Sequence, residues 1–298
     1  MTTALNFHPL ATLSQSLDEG AVTSVSLVED ALTHVHDTSG QGSRVYTQVF
    51  ESQALNAARA SDLLRSAGLK RSPLEGLVIS VKDLFDVSGY TTRAGSVVLA
   101  DAAPAKHDAV IVNRLRAAGT IVLGSTNMTE FAFSGLGINP HYGTPLGPFE
   151  RSAGRIPGGS SSGAAVSVSD GMAAAAIGTD TGGSVRIPAA FCGLTGYKPT
   201  AARIPNQGLV TLSSSLDSIG PIGHRVTCCA WLDAIMSGEL VPNIRNRSVS
   251  SLVLAKPRQV VFDQVEPIVM QAFIQACEAL QQAGAKIEEI DVPELSEW

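Results

Sequence analysis

The first seventy residues carry apolar side chains at the spacing of helices that cover a core. Residues 24–35 combine apolar and acidic positions at helical spacing, which predicts an amphipathic helix. Residues 53–67 are rich in Ala and Leu and are followed by Gly68, a residue type that commonly ends a helix. We therefore expect a helical region over about residues 1–70.

The pattern then changes to short apolar runs that are typical of strands buried within a sheet. Residues 76–81 and 120–124 are two such runs. Between them, residues 108–118 return to helical spacing and stop at Gly119. A strand, a helix and a strand in this order favour an α/β sheet with crossover helices.

The middle of the chain, residues 135–223, is unusually rich in Gly, Ser, Thr and Pro. A disordered linker would lack apolar residues, whereas residues 164–177 and 191–197 are apolar. We expect ordered loops packed on a core, with residues 164–177 forming a helix-prone run.

The last sixty residues predict a strand, a helix and a strand after a polar linker over residues 239–251. Residues 251–255 and 286–290 are the strand candidates, and residues 263–283 have a strong helical pattern. Cys277 lies on the apolar face of that helix, so it is expected in the core and not in a site.

Composition excludes several classes of function. The chain has 298 residues, a net charge of −6 and no basic block, so direct binding to nucleic acid is not expected. Neither a signal-peptide pattern nor an apolar run long enough to span a bilayer is present, so we expect no membrane association and a cytoplasmic location. The four cysteines have no CxxC spacing, which predicts neither a disulfide framework nor a zinc site.

Two Gly-Gly-Ser elements are the main candidates for chemistry. One ends at Ser160 and the other at Ser184. A glycine pair lets the backbone approach another group closely and point its N–H groups outward. A serine beside bare N–H groups is what a serine acyl-transfer enzyme needs. One such element would be an ordinary turn, but two of them, joined by an Ala-rich run, favour catalysis.

Lys82 is the candidate base. It ends the apolar run 76–81, and a lysine that burial desolvates loses proton affinity and can accept a proton near neutral pH. The alternative is a lysine that reaches water from the end of a strand.

A second interpretation gives the nucleophile to Ser161. Residues 159–163 fit G-x-S-x-G, the nucleophile elbow of α/β-hydrolases. That elbow directly follows a strand, whereas residues 150–157 are polar. His224 is the histidine downstream, and Asp217 is the nearest candidate carboxylate, so the sequence disfavours this alternative.

Several motifs together resemble the amidase signature family. The similarity covers most of the chain from about Thr23. The motifs that carry it are Val81-Lys82-Asp83, Pro157-Gly158-Gly159-Ser160-Ser161-Ser162-Gly163, residues 178–189 (GTDTGGSVRIPA), Cys192-Gly193, Gly196-Tyr197-Lys198-Pro199-Thr200 and residues 215–221 (SLDSIGP).

The resemblance implies an α/β fold with a mixed β-sheet core covered by helices, and a Ser-Ser-Lys triad. Ser184 would be the nucleophile, Ser160 the bridge to Lys82, and Lys82 the ultimate base. The backbone N–H groups of Thr181, Gly182, Gly183 and Ser184 would form the oxyanion hole. The Gly159–Ser160 peptide bond would be cis. Asp180, Arg186, Ser161, Ser162 and Lys198 are assigned to loop structure, and no metal or cofactor is implied.

The resemblance also implies one amidase domain over residues 1–298. It would comprise the helical region, a catalytic core over about 71–230, and a terminal part over about 239–298. Family members normally continue beyond this point, so the domain is expected to be incomplete at its C-terminus.

Three functions stay open at this stage. The first is an amidohydrolase that cleaves a small-molecule carboxamide through an acyl-serine intermediate. The second is the glutaminase (amidase) subunit of a tRNA-dependent amidotransferase. The third is an inactive truncated fragment or interaction module. The partner would be a second copy of the chain or an amidotransferase subunit.

Overall fold

The computed structural model describes residues 5–244 and 247–297, and the chain divides into two compact units, Met1–Pro242 and Asn243–Trp298. In the first unit the α-helices are α1 (Leu10–Asp18), α2 (Ser24–His36), α3 (Gly42–Val45), α4 (Glu51–Ser66), α5 (Val110–Ala117), α6 (Ser162–Ser169), α7 (Arg186–Phe191) and α8 (Val226–Ser237). Its strands are β1 (Tyr46–Val49), β2 (Val78–Lys82), β3 (Ile121–Thr126), β4 (Ala175–Asp180), β5 (Thr195–Gly196) and β6 (Ser218–Gly223).

The strands of the first unit form one mixed sheet in the order β1-β3-β2-β4-β6-β5. β2, β3 and β4 run parallel to one another, while β1, β6 and β5 pair antiparallel with their neighbours. Every residue of β2, β3, β4 and β6 is buried, so helices and loops cover both faces. The fold is therefore α/β with a mixed sheet, as expected.

The helices and strands predicted for the first 125 residues are present with ends shifted by one to two residues. α2, α4 and α5 bury one apolar face each, and β2 and β3 occupy the predicted apolar runs. Gly68 and Gly119 have φ of +72° and +96°, which suits the residue after a helix. α1, β1, β6 and α8 have no counterpart in the predictions.

The helix-prone run 164–177 is a correction. α6 ends at Ser169, Gly171 has a φ of +72°, and the Ala-rich residues that follow belong to β4. β4 lies between β2 and β6 and is fully buried. Pairing on both sides satisfies its backbone and outweighs the local helix preference of alanine.

The second unit contains β7 (Val253–Pro257), α9 (Pro267–Gln282) and β8 (Lys286–Ile290), with β7 and β8 pairing in parallel. These elements match the predicted strand, helix and strand. Residues 245 and 246 of the predicted linker lie outside the described residues.

The prediction that Cys277 belongs to a core is wrong. No residue of α9 is buried, and Cys277 is only partly buried. Within this unit the helix packs against a two-stranded sheet, which is too small to enclose its apolar face. In the described part of the chain no helix is both long and apolar enough to cross a membrane.

Candidate active site

Two neighbouring parallel strands bring the candidate residues to one edge of the sheet. Lys82 is the last residue of β2, and Asp180 is the last residue of β4. The two strands pair directly, with Val81 opposite Ile177. Because parallel strands end at the same edge, the residues that follow β4 lie beside Lys82.

The Lys82 ammonium group is completely enclosed by protein. The residue has no exposed surface, so the alternative of a lysine that reaches water is wrong. Its Nζ donates to Ser160 Oγ at 2.7 Å and to Thr179 Oγ1 at 2.8 Å. Both partners are hydroxyl groups, and Lys82 makes no ion pair within the described residues.

This environment changes the proton affinity of Lys82. Burial lowers its pKa from 10.5 to about 7, because the ammonium ion loses its hydration. The charges of Asp217 and Asp180 act in the opposite direction but are weaker than the effect of burial. A lysine with a pKa near 7 is partly neutral at neutral pH and can accept a proton.

The first Gly-Gly-Ser element packs tightly against the segment around Gly137. A Cβ at Gly159 would lie 2.6 Å from Gly137 Cα, so only glycine fits there. The Gly159–Ser160 peptide bond is cis, as the resemblance predicts. Ser160 is fully buried, and its carbonyl oxygen accepts a hydrogen bond from Thr129 N–H at 3.1 Å.

The second Gly-Gly-Ser element lies against the first. Ser161 N–H donates to Ser184 O at 3.2 Å, which joins the two segments through their backbones. The Ser184 hydroxyl has no hydrogen-bond partner within residues 5–244 and 247–297. Ser160 and Ser184 are therefore neighbours in the fold, but their hydroxyls are not bonded to each other. Catalytic hydrogen bonds often tighten only when substrate is bound.

The Asp180 carboxylate organises the residues that follow it. Its Oδ1 accepts Gly183 N–H at 2.7 Å, and its Oδ2 accepts Val185 N–H at 3.2 Å. The Arg186 guanidinium donates to both oxygens at 2.9 Å. Asp180 and Arg186 thus have the structural role assigned from the sequence, and they hold residues 181–184, here called the glycine loop.

The N–H groups of the glycine loop are not equivalent. Gly183 N–H, expected to face an oxyanion, is instead bonded to Asp180. Gly183 also has a φ of +129°, a conformation that suits glycine alone. The N–H groups of Thr181, Gly182 and Ser184 form no hydrogen bond in the described part of the chain and are available to a ligand.

The residues of the nucleophile-elbow interpretation do not come together. Ser161 is fully buried, and its hydroxyl donates to Thr179 O at 3.3 Å. His224 Nε2 lies 3.3 Å from Asn6 O, and the Asp217 carboxylate accepts the Thr181 hydroxyl. Among the described residues no strand directly precedes Gly159.

The structure adds two contacts that the sequence did not predict. Thr179 is the second hydroxyl on Lys82, and Asp217 is bonded to the glycine loop through Thr181. Both lie within matched family motifs, but only the pairing of strands shows what they contact. In the described residues no group of three His, Cys, Asp or Glu side chains could hold a metal ion.

The side chains of Ser162 and Lys198, both assigned to loop structure, form no hydrogen bond to Lys82, Ser160 or Ser184 in the described part of the chain, and Ser162 lies in a helix and not in a loop. Ser162 begins α6, and its buried hydroxyl has no partner among the described residues. Lys198 Nζ donates to Pro199 O at 2.7 Å and to Ser218 Oγ at 3.5 Å.

The chain is similar to known proteins over nearly its whole length. The amidase family profile matches residues 32–298. The chain is 36% identical to the A subunit of the glutamyl-tRNA(Gln) amidotransferase of Chloroflexus aggregans, covering 98% of this chain and 62% of that protein. It is 38% identical to 2-amino-5-chloromuconic acid deaminase of Comamonas testosteroni, covering 97% and 62%.

A solved amidase structure has a similar fold. It superimposes with a TM-score of 0.86 at 35% identity, covering 96% of this chain and 64% of that one. The chain thus spans about three fifths of the length of the relatives that it matches. The family profile and the similar fold show that the chain belongs to the amidase family.

Proposed function

We propose that this chain carries the catalytic centre of an amidohydrolase that cleaves the C–N bond of a carboxamide. The observation that carries the proposal is the enclosed Lys82, whose Nζ lies 2.7 Å from Ser160 Oγ and whose pKa is near 7. A buried lysine without a carboxylate partner is costly to keep charged, and its use as a base accounts for its position.

In the proposed acylation step, Ser184 Oγ attacks the carbonyl carbon of the amide. Its proton passes to Ser160, while the proton of Ser160 passes to neutral Lys82. The C–N bond of the tetrahedral intermediate then breaks, and the nitrogen takes a proton back through Ser160. The amine leaves, and the acyl group stays on Ser184 as an ester.

Water completes the cycle by the same route. It loses a proton through Ser160 to Lys82 and attacks the ester carbon. The carboxylic acid then leaves as Ser184 regains its proton. No metal or cofactor is part of this sequence of steps.

The negative oxygen of each intermediate needs hydrogen-bond donors. The free N–H groups of Thr181, Gly182 and Ser184 are the donors that we propose. The positive φ of Gly183 and its N–H bond to Asp180 stabilise the conformation of the glycine loop. Loss of one such donor typically costs about 10²–10³ in rate.

The test is mass spectrometry of the purified chain after treatment with a fluorophosphonate, followed by peptide mapping. A single adduct on Ser184 is expected. Ser184→Ala should abolish the adduct, and Ser161→Ala is the matched control because Ser161 is equally small but is bonded to Thr179 O. An adduct on Ser161 would revive the nucleophile elbow. No adduct from folded protein would favour the inactive fragment or interaction module.

A second candidate is the glutaminase subunit of an amidotransferase, because several relatives at 35–37% identity are A subunits of glutamyl-tRNA(Gln) amidotransferases. In that setting the chemistry at Ser184 is the same, the substrate is glutamine and ammonia passes to a partner subunit. Glutamine hydrolysis that rises when partner subunits are added would favour it. Turnover of varied amides by the chain alone would favour an independent amidase with a small-molecule substrate.

A further inference from the structure

Antiparallel pairing of β4 with β6 places a carboxylate directly beside the glycine loop. Asp180 is opposite Ser218 at the end of the ladder. In an antiparallel pair the next residues on the two chains again face each other, and these are Thr181 and Asp217. The register of the sheet therefore sets this contact.

The Asp217 carboxylate uses both oxygens to join two segments. Its Oδ1 accepts the Thr181 hydroxyl at 2.5 Å. Its Oδ2 accepts Leu212 N–H at 2.9 Å and Ser213 N–H at 3.1 Å. Hydrogen bonds that an ionised carboxylate accepts are strong. Asp217 therefore fixes the first residue of the glycine loop to the 212–217 turn.

The glycine loop is thus held at two points by two carboxylates. Asp180 binds the N–H groups of Gly183 and Val185 near the end of the loop. Asp217 binds the beginning of the loop through the side chain of Thr181, whose own N–H stays free. The Asp180 contact was expected to be structural, whereas nothing in the sequence reasoning assigned the Asp217 contact.

We propose that Asp217 is a positioning residue, which aims the Thr181 N–H at the oxyanion through the Thr181 hydroxyl. This inference rests on the proposed function. Asp217 touches neither Lys82 nor the reacting atoms, so its effect on catalysis is transmitted through the loop and through the electric field.

The field effect has a definite sign. The charges of Asp217 and Asp180 raise the pKa of Lys82, and Asp83 is the next residue along the chain. Burial raises the pKa of the Asp83 carboxyl to about 6, so this group is ionised above that pH. Removing the Asp217 charge should lower the pKa of Lys82. Lys82 would then be neutral at lower pH, and the rise of the labelling rate with pH, here called the acid limb, would shift to lower pH.

The test is the rate constant for fluorophosphonate labelling of Ser184 between pH 5 and 9. Asp217→Asn is the main variant, because it removes the charge and turns an N–H₂ group towards either the Thr181 hydroxyl or the N–H groups of Leu212 and Ser213. Thr181→Val removes the hydroxyl but keeps the Asp217 charge. Asp101→Asn removes an exposed carboxylate that has no hydrogen bond among the described residues, and is the matched control for charge.

Asp217→Asn should lower the plateau labelling rate about tenfold, a fraction of the loss expected for a whole oxyanion donor. It should also move the acid limb down by about half to one pH unit. Thr181→Val should lower the plateau by a similar factor without moving the limb, and Thr181→Ser should be faster than Thr181→Val. The double variant should label no more slowly than Asp217→Asn, because the two residues act through one bond.

Two results would overturn the inference while leaving the proposed function in place. One is an Asp217→Asn profile that matches Asp101→Asn in plateau and limb. The other is an additive double variant, which would mean that Asp217 and Thr181 act independently. Thermal unfolding of each variant, measured over the same pH range, identifies a rate loss or a limb shift that comes from unfolding. A chain that never labels Ser184 would reject the proposed function, and this inference with it.

Discussion

Two cations lie beside the glycine loop, and the protein treats them in opposite ways. Lys82 has no exposed surface, and its hydrogen-bond partners are two neutral hydroxyls. The Arg186 side chain is 52% exposed and makes a bidentate ion pair with buried Asp180. One cation is desolvated without a counter-ion, and the other is paired and partly hydrated.

The pKa shifts of these groups follow from that difference. Burial lowers the pKa of Lys82 to about 7, whereas hydrogen bonds to Asp180 raise the pKa of Arg186. Burial alone would raise the pKa of Asp180, but bonds from Arg186 and the loop N–H groups outweigh it and lower the pKa. An unpaired buried cation can therefore exchange a proton near neutral pH, while a paired one is a fixed structural charge.

Replacement of the unpaired cation should have the largest effect. Lys82→Met should reduce the labelling rate of Ser184 by about 10²–10⁴, the usual contribution of a positioned base. The same variant should be more stable than the parent protein at pH 6, by about 1–3 kcal/mol, because a buried charge is removed. Labelling kinetics and chemical denaturation at pH 6 measure the two effects.

The stability gain should depend on pH in a defined direction. The folded-state pKa of Lys82 is below its unfolded value of 10.5, so below about pH 7 both states are protonated and the folded state carries the full cost. Between about pH 7 and 10.5 the folded state loses its proton first, and the free-energy cost of burying the charge declines as the pH rises.

The role of Lys82 as the base has a separate test. Recovery of most of the labelling rate by Lys82→Ala at high pH would show that Lys82 is not the base.

Replacement of the paired cation should change stability in the opposite direction. Arg186→Met leaves the Asp180 charge buried without its counter-ion, and should lower the free energy of unfolding by about 1–2 kcal/mol, a value reduced because the guanidinium is half exposed. Labelling should fall by about tenfold through movement of the glycine loop, with the acid limb in place. A gain in stability, as expected for Lys82→Met, would contradict the distinction between the two cations.

The pH dependence of the unsubstituted chain sharpens the same point. Neutral Lys82 is needed to accept the proton, so the labelling rate should rise with pH through an apparent pKa of about 7. At one pH unit below this pKa the rate should be about tenfold lower than the plateau rate at high pH. Arg186 should add no further step to the pH profile of the labelling rate. A rate that keeps rising with unit slope to pH 9 would indicate a base with an unshifted pKa.

The smallest effect is expected at the second hydroxyl on Lys82. Thr179→Val removes the 2.8 Å bond and leaves the Ser160 bond intact. Labelling should fall about fivefold, since Lys82 loses one of the two contacts that orient it. Ser80→Ala is the matched control, because the Ser80 hydroxyl is buried in β2, the neighbouring strand that carries Lys82, but is bonded to Ser167. Equal losses in both variants would assign the effect to packing.

Local sequence patterns predicted much of the fold and part of the site. The apolar run 76–81 predicted β2, and the two Gly-Gly-Ser elements identified the segments that meet at its end. β4 was misjudged because its alanines favour a helix locally, and only pairing with β2 and β6 decides otherwise. The residues within a short stretch of sequence do not specify which distant strands will pair with it.

The contacts of Thr179 and Asp217 were not predicted for the same reason. Thr179 reaches Lys82 because β2 and β4 are neighbours, and Asp217 reaches Thr181 because β6 pairs with β4. Gly183 was expected to bind an oxyanion, whereas its N–H is bonded to the side chain of Asp180. That bond depends on the path of the loop, which the residue types alone do not specify.

The proposed mechanism requires Lys82 to be neutral over part of the physiological pH range, because burial has removed its hydration. NMR of the chain labelled with ¹³C at lysine Cε, titrated from pH 5 to 11, measures this directly, and Lys82→Met assigns the signal. The expected result is a Lys82 signal that titrates near pH 7. A Lys82 signal that titrates near 10 would contradict the account, because the lysine would then be protonated throughout the range in which it must act as the base.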